Sequence, residues 1–229
     1  MTPIRLSGIE ACVFDAYGTL FDINAAAERC AEDLGEKWRP LSETWRLKQL
    51  QYTWLRALMG RHTEFWQVTT DALDFALATH QVADAAIRRR LLDLYWQLDA
   101  YPEVKQTLAA LKAAGLKTAI LSNGSPDMLR AAAENAGIAD ILDGIFSVEE
   151  VGVFKPHPSV YGLPAEHFDL PTERMSFQSS NGWDAHAAKA FGFNVVWINR
   201  FGQAPERIPE APDAEITTLA DLPEIVGAA

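Results

Sequence analysis

Cysteine is nearly absent: the 229 residues hold two, Cys12 and Cys30. Two cannot build the disulfide framework of a small secreted domain. None is needed, because a chain of this length buries about 70% of its extended surface on folding. Cys12 sits in an apolar run and Cys30 in a helical pattern. The alternatives are one disulfide or two buried thiols; the apolar settings favour thiols, which suit a reducing compartment. No leader is expected either. Met1-Thr2-Pro3-Ile4-Arg5, with Glu10 close behind, lacks the basic-then-apolar order of a signal peptide. No apolar run approaches the ~18 residues that span a bilayer, and the longest candidate, Phe191 to Ile198, is strand-sized. A cytoplasmic protein with no membrane partner is expected.

Positive charge is in short supply, with 20 Lys and Arg against 31 Asp and Glu, a formal net charge of −11. A nucleic-acid binder presents a basic face. The one cationic cluster here, Arg88-Arg89-Arg90, reads as a solvated helix face, so no nucleic-acid partner is expected. The same balance means that an anionic substrate must be drawn in by local cations. The five histidines show no metal-ligand spacing, and His157 and His186 read as bystanders.

Among what is present, Ala11-Cys12-Val13-Phe14 is a short apolar run ending in Asp15 and Gly18, a buried strand feeding a loop. From Asn24 to about Leu98 the strong patterns are helical. Leu47, Leu50, Trp54 and Leu58 form one stripe, with Ser42 as N-cap and Gly60 as stop. Phe65, Thr69, Leu73 and Ala76 predict a second helix, and Ile87, Leu91, Leu94 and Leu98 a third. After Tyr101 helices and strands alternate. Pro102 opens a helix that ends at Gly115, and strand Thr118–Leu121 runs into Ser122-Asn123-Gly124. A helix over 126–136, a strand at 145–147, a helix over 158–167, a strand at 175–177, a helix over 183–191 and a strand over 194–198 follow. Alternation of this kind predicts an α/β fold: a doubly wound, Rossmann-like parallel sheet core with an inserted all-helical cap domain. The core would be residues 1–21 and 100–229, and the cap, or lid, 22–99.

Such sheets bind ligands at the carboxyl ends of their strands. Four polar clusters fall after strands or in loops: Asp15-Ala16-Tyr17-Gly18-Thr19, Ser122-Asn123, Lys155-Pro156, and Ser179-Ser180-Asn181-Gly182-Trp183-Asp184. Together they make a site the default expectation. Taken alone, Asp15 could equally be a capping aspartate.

The string Phe14-Asp15-Ala16-Tyr17-Gly18-Thr19-Leu20 resembles the nucleophile motif of the haloacid dehalogenase superfamily, and Ser122, Lys155 and Asp184 match its later motifs in order. The resemblance covers nearly the whole chain. Within that superfamily the magnesium phosphatases carry Asp-x-Asp at the first motif, where this chain has Tyr17, and further acidic ligands in the last, where it has Ser180-Asn181-Gly182-Trp183. Asp15 and Asp184 could still supply two carboxylates, so magnesium is disfavoured by count without being excluded. A halide needs no proton to leave, which fits Tyr17. The chain looks most like the L-2-haloacid dehalogenases. It has Trp45-Arg46-Leu47-Lys48-Gln49-Leu50-Gln51-Tyr52, Leu121-Ser122-Asn123-Gly124, Phe154-Lys155-Pro156 and Ser179 to Asp184. The departures are Phe154 before the lysine, Gly182 beside Trp183 and Gln178 near the strand end. They bear on pocket shape and remove no reacting group.

The resemblance implies hydrolysis of short (S)-2-haloalkanoic acids to (R)-2-hydroxyalkanoic acids and halide, with no metal or other cofactor. Asp15 would be the nucleophile and form an aspartyl ester. Arg46 would meet the halide with Asn123 and an aromatic edge from Phe177 or Trp183; periodicity alone would make Arg46 a solvated helix arginine. Ser122 and N–H groups near Ala16 and Tyr17 would bind the substrate carboxylate. Thr19 would orient Asp15, and Lys155 would offset Asp15 and Asp184. Asp184, with Ser179 and Asn181, would activate the water. Tyr161 is either a core aromatic or a hydrogen-bond donor into the site. Trp183, Leu50 and Phe65 would wall the alkyl pocket, though plain core packing fits Leu50 and Phe65 as well. The resemblance also implies a homodimer, for which Trp38, Trp45, Trp54, Trp66 and Trp96 offer apolar surface. Two other readings remain: a magnesium-dependent phosphatase or phosphomutase of the same superfamily, and a non-catalytic binding protein. Preferred halogen, chain length and use of fluoroacetate are not legible.

Overall fold

Four consecutive apolar side chains, Ala11 to Phe14, are all buried and leave no face for water. They form β1 (Ala11–Phe14), an inner strand of a sheet completed by β2 (Lys117–Ser122), β3 (Gly144–Ser147), β4 (Met175–Ser179), β5 (Asn194–Ile198) and β6 (Ala214–Ile216). The structure, a computed structural model, describes residues 5–228. All neighbouring strands are parallel, in the order β3-β2-β1-β4-β5-β6. This is the doubly wound order, in which the chain fans out in both directions from the β1–β4 pair and opens a crevice at the strands' carboxyl ends. Phe14 lies in register with Ile120 and Gln178, so Asp15, Ser122 and Ser179 emerge on one edge.

Five helices intervene between β1 and the rest of the sheet: α1 (Ala25–Glu28), α2 (Ala31–Leu34), α3 (Trp38–Met59), α4 (Phe65–Thr79) and α5 (Ala85–Trp96). The chain leaves the sheet at Phe21-Asp22 and rejoins it at Asp99 to Tyr101. The two crossings are laced together. Asp22 N–H donates to the Asp99 carbonyl and Tyr101 N–H to the Leu20 carbonyl, each at 2.9 Å, on either side of an antiparallel Phe21–Ala100 bridge. Helices α6 (Val104–Ala113), α7 (Pro126–Asn135), α8 (Pro158–Phe168), α9 (Gly182–Phe191) and α10 (Leu222–Ile225) flank the sheet, α6 against α10 and α8 against α9.

The long helix differs most from its sequence reading. Ser42 is not its N-cap: α3 starts at Trp38, directly out of the turn Gly35–Lys37, and Ser42 lies buried inside it. Pro40 is tolerated because first-turn N–H groups have no helical partner to lose. Gly60 does end the helix, in the left-handed conformation at φ +62°. The predicted stripe is not the buried face. Leu47 and Leu58 are 61% and 85% exposed, while Leu41, Trp45, Gln49 and Thr53, spaced by four, turn inward. Polar members belong to the inner line because they are hydrogen-bonded there: Trp45 Nε1 donates to the Thr69 carbonyl at 2.9 Å and Thr53 Oγ1 to the Leu50 carbonyl at 2.7 Å. Leu98 is buried but lies beyond the end of α5.

Tryptophans of this layer face the chain itself. Trp66 and Trp96 meet edge-to-face at 5.0 Å, and Trp54 meets Trp183 of α9 at 5.4 Å. Cys12 and Cys30 are both free and buried, and burial pushes the Cys12 thiol up to about 12. Arg88 and Arg90 pair with Asp74 and Asp33 on the surface. Strand β6 and the short helix α10 had no sequence signal, while α1 and α2 fall within the stretch from Asn24 that reads as helical.

Candidate active site

Asp15 is held at the end of β1 by its N–H, which donates to the Gln178 carbonyl at 2.8 Å. The next residues form a tight turn, in which the Ala16 carbonyl accepts from the N–H groups of Leu20 and Phe21 at 2.9 and 3.0 Å. Gly18, at φ +91°, permits it, and a Cβ there would also sit 3.1 Å from Ser180 Oγ. The turn brings Thr19 back under the carboxylate: its Oγ1 is 3.2 Å from Asp15 Oδ2 and accepts from the Ser180 N–H at 2.8 Å.

Lys155 arrives from the loop ahead of α8. Asn123, after β2, fixes that loop by accepting the Lys155 backbone N–H on its Oδ1 at 2.9 Å. The Lys155 ammonium, 1% exposed, donates to Asp15 Oδ1 at 3.1 Å and to Asp184 Oδ2 at 2.9 Å, and lies 5.0 Å above the Phe177 ring. Asp184, fully buried in the first turn of α9, also accepts from the Tyr161 hydroxyl at 2.6 Å. Burial works against the Lys155 charge, but the two carboxylates outweigh it and hold its pKa above the ordinary lysine value. Burial pushes Asp184 above the ordinary carboxylate value, and Lys155 and Tyr161 offset this only in part. The raised value suits a group that must take a proton. Burial, with Asp184 adding to it, takes the Tyr161 phenol well above its usual value, so it stays a donor.

Arg46 reaches over from α3. Its Nη2 donates to Asn181 Oδ1 at 3.1 Å and to the Tyr17 carbonyl at 3.4 Å, and its Nη1 donates to Gln49 Oε1 at 2.9 Å. A guanidinium can only donate, so Asn181 presents Oδ1 to Arg46 and Nδ2 to Asp15 Oδ2, at 2.9 Å. Tyr17 stacks on Tyr95 at 5.7 Å with planes 16° apart. Burial takes its phenol well above its usual value, with Tyr95 and Asp15 adding to the shift. A Cβ on Gly124 would lie within 3.0 Å of Tyr17 and Leu129 atoms, so this close approach requires glycine. Ser122 Oγ accepts from the Gly124 N–H at 3.1 Å, which leaves its own hydroxyl proton available.

These groups surround a small cavity of about 10 Å³. Ten of the predicted residues line it. Asp15, Lys155 and Asn181 lie on one side and Ser122, Asn123 and Tyr17 on another, with Arg46, Leu50, Phe65 and Trp183 closing it. Asp15 is the one carboxylate on the lining. Thr19, Tyr161, Asp184 and Ser179 stand behind it; Ser179 Oγ accepts from the Asn181 N–H at 3.1 Å. Phe177 is not on the lining but beneath Lys155, packed on Tyr161 and Phe193. Ala16 is wholly buried. A groove of about 560 Å³ on the other side of Trp183 is almost entirely apolar and contains none of the reacting groups. Among the described residues, no three His, Cys, Asp or Glu side chains converge as metal ligands.

Sequence reasoning missed Tyr95 and gave no role to Gln49 or Ser180, which it met only within longer strings. Gln49 carried a signal, since it lies three residues after Arg46 on the same helical face. The buried amide of Gln178 donates to Ser176 Oγ at 2.5 Å, and its Oε1 has no partner among the described residues.

A family model described as haloacid dehalogenase-like hydrolase matches residues 9–192. The chain is 46% identical to (S)-2-haloacid dehalogenase 1 of Pseudomonas sp. (strain CBS-3), over 99% of this chain and 98% of that one. A crystal structure of a dehalogenase with an intermediate complex superposes with a TM-score of 0.94 at 38% identity, covering 98% and 99% of the two chains. The L-2-haloacid dehalogenase of Xanthobacter autotrophicus with chloropropionic acid covalently bound superposes with a TM-score of 0.87 at 40% identity, covering 94% and 97%.

Proposed function

The chain belongs to the haloacid dehalogenase-like hydrolases, and from that premise we propose that it hydrolyses short (S)-2-haloalkanoic acids to (R)-2-hydroxyalkanoic acids and halide. The observation that carries this reading is a cavity lined by one carboxylate, Asp15, with no acid at position 17. Position 17, where an acid would protonate a leaving alcohol, is a stacked, protonated tyrosine. Such a site suits a leaving group that needs no proton.

In the first step an Asp15 carboxylate oxygen bonds to C2 in line with the halogen. The carbon–halogen bond breaks with its electron pair on the halide, and C2 inverts. Arg46 faces the departing anion, and Asn123 Nδ2, uncommitted among the described residues, supports it. The Ser122 hydroxyl and the N–H groups of Ala16 and Tyr17, which have no partner among the described residues, receive the substrate carboxylate. In the second step water loses a proton to Asp184 and attacks the Asp15 ester carbonyl. The Asp15 Cγ–oxygen ester bond breaks, the departing alkoxide takes the proton back from Asp184, and the C2–oxygen bond survives, so an oxygen of Asp15 leaves with the hydroxy acid. Ser179 braces the loop that presents Asn181 to this reaction, Tyr161 and Lys155 hold Asp184, and Thr19 holds Asp15. Phe177 supports Lys155 from below, and Leu50, Phe65 and Trp183 bound the alkyl group.

The reaction proceeds without a metal. The Lys155 ammonium lies between the two carboxylates, and N–H groups of Asn181 and Arg46 engage the Asp15 and Tyr17 oxygens that a hard cation would need. Residues 22–99 act as the lid over a core of 1–21 and 100–229. Leu47, Leu55, Leu58 and Met59 of α3 and Phe75 of α4, all exposed, support a homodimer through this layer. The free thiols support a cytoplasmic location; among the described residues no helix is long and apolar enough to cross a membrane.

Halide release from each enantiomer of 2-chloropropionate, with and without chelator, tests the reading. Turnover of the S enantiomer alone, indifferent to chelator, is expected. Phosphate release from p-nitrophenyl phosphate that chelator abolishes would replace it with the phosphatase reading. A single turnover in heavy-oxygen water should give a first product carrying light oxygen; heavy oxygen there would remove the ester.

A further inference from the structure

Packing alone does not enclose Arg46. It is only partly buried, and a void of about 10 Å³, lined by Ser42, Trp45 and Gln49 among others, lies beside its stem. Its guanidinium is therefore placed by hydrogen bonds. Two go to the Tyr17 carbonyl and Asn181, both next to the nucleophile. The third goes to Gln49, 1% exposed, in the interior of the helical layer.

The amide orientation follows from its surroundings. Thr69 Oγ1 donates its proton to the Phe65 carbonyl at 2.8 Å, so toward Gln49 it can only accept. It accepts from Nε2 at 2.8 Å, and the Tyr95 hydroxyl accepts from the same nitrogen at 2.9 Å. Oε1 must then face Arg46. Tyr95 is itself fixed between Tyr17 and Trp45, with ring centroids 5.7 and 5.0 Å away. One amide thus joins α3, α4 and α5, and its Oε1, 3.2 Å from the Tyr95 hydroxyl, accepts from the guanidinium at 2.9 Å. None of these contacts touches Asp15, Lys155 or Asp184.

We propose that Gln49, anchored by Tyr95 and Thr69, is the positioning residue that holds Arg46 over the departing halide and so sets how well the enzyme handles poor leaving groups. The proposal rests on the assignment of Arg46 above. Chloride, a poorer leaving group than bromide, depends more on the cation that receives it. A loosened Arg46 therefore slows 2-chloropropionate more than 2-bromopropionate, whereas a general packing defect slows both alike.

Gln49→Met keeps the length of the side chain and removes the amide. Single-turnover halide release in this variant should fall for the chloro acid by about 10- to 100-fold, the cost of misplacing a catalytic group by roughly an ångström, and by clearly less for the bromo acid. In an Arg46→Lys background the same substitution should add almost nothing, because the two act as one unit. Tyr95→Phe, which keeps the shape and loses one anchor, should move the chloride-to-bromide ratio the same way by less, and it decides the matter if Gln49→Met does not fold. Equal losses on both substrates and in both backgrounds, or no loss, would overturn the proposal while leaving the reaction assignment intact. A chloride-to-bromide ratio unchanged in Arg46→Lys itself would remove the halide role of Arg46, and this proposal with it.

Discussion

Lys155→Met should cost far more stability at pH 8 than at pH 5. Lys155 is buried between two carboxylates at 3.1 and 2.9 Å, so its removal leaves two negative charges facing each other with no counter-charge. Breaking a buried ion pair by deleting one partner costs about 3–5 kcal/mol. For a chain of this size each kcal/mol moves the melting temperature by about 2–4 °C, so a fall of about 6–20 °C is expected at pH 8. The sign of the pH effect follows from the groups left behind. In the wild type the Lys155 pKa is raised, so its contribution is fully present below the unfolded lysine value of about 10.4 and is the same at pH 5 and 8. In the variant Asp184, already raised by burial, loses the ammonium that held it down. A carboxylate whose folded pKa is raised takes up its proton more readily when folded, so stability returns as pH falls through that value. Thermal unfolding followed by circular dichroism at both pH values, on wild type, Lys155→Met and Lys155→Met/Asp184→Asn, measures this. The double variant should recover much of the pH 8 loss. A deficit equal at both pH values, or below about 1 kcal/mol, the range of exposed pairs, would refute the reasoning.

Asp15→Asn should lower halide release by at least about 10⁴-fold, as for loss of a nucleophile, with a melting temperature equal to or above wild type, since the buried trio of Asp15, Lys155 and Asp184 goes from net negative to neutral. A halide electrode and a thermal melt read both. Tyr161→Phe removes a donor that favours ionised Asp184, so the acid limb of ester hydrolysis in a stopped-flow pH profile should move to higher pH. Gly124→Ala forces a Cβ to within 3.0 Å of Tyr17 and Leu129; denaturant unfolding should show a loss of about 1–3 kcal/mol. Leu58→Glu, on the exposed face of α3, should convert the dimer proposed above to monomer by light scattering without unfolding it.

Asp15 and Ser122 were legible because each stands where an apolar run stops, whereas Arg46, Lys155 and Asp184 were legible through the resemblance of the strings around them. Asp15 after Ala11–Phe14 and Ser122 after the β2 run are polar residues at strand ends, and the sheet order brings those ends together. The inner face of α3 was not legible. Periodicity assigns polar residues to water, and Gln49 and Thr53 violate that because neighbouring helices satisfy the first and the Leu50 carbonyl of the same helix satisfies the second. Leu47 and Leu58 mislead in the opposite sense, as apolar residues left on the surface. Strand β6 escaped because Ala214-Glu215-Ile216 is too short to carry a period and takes its conformation from β5.

The lacing of Leu20–Asp22 to Asp99–Tyr101 constrains how the molecule can breathe. The cavity is narrow and roofed by Arg46, Leu50 and Phe65 of the helical layer. The laced crossings start five residues after Asp15, so any displacement of that layer about them would move Arg46 much more than the nucleophile, and the attacking carboxylate would stay aimed.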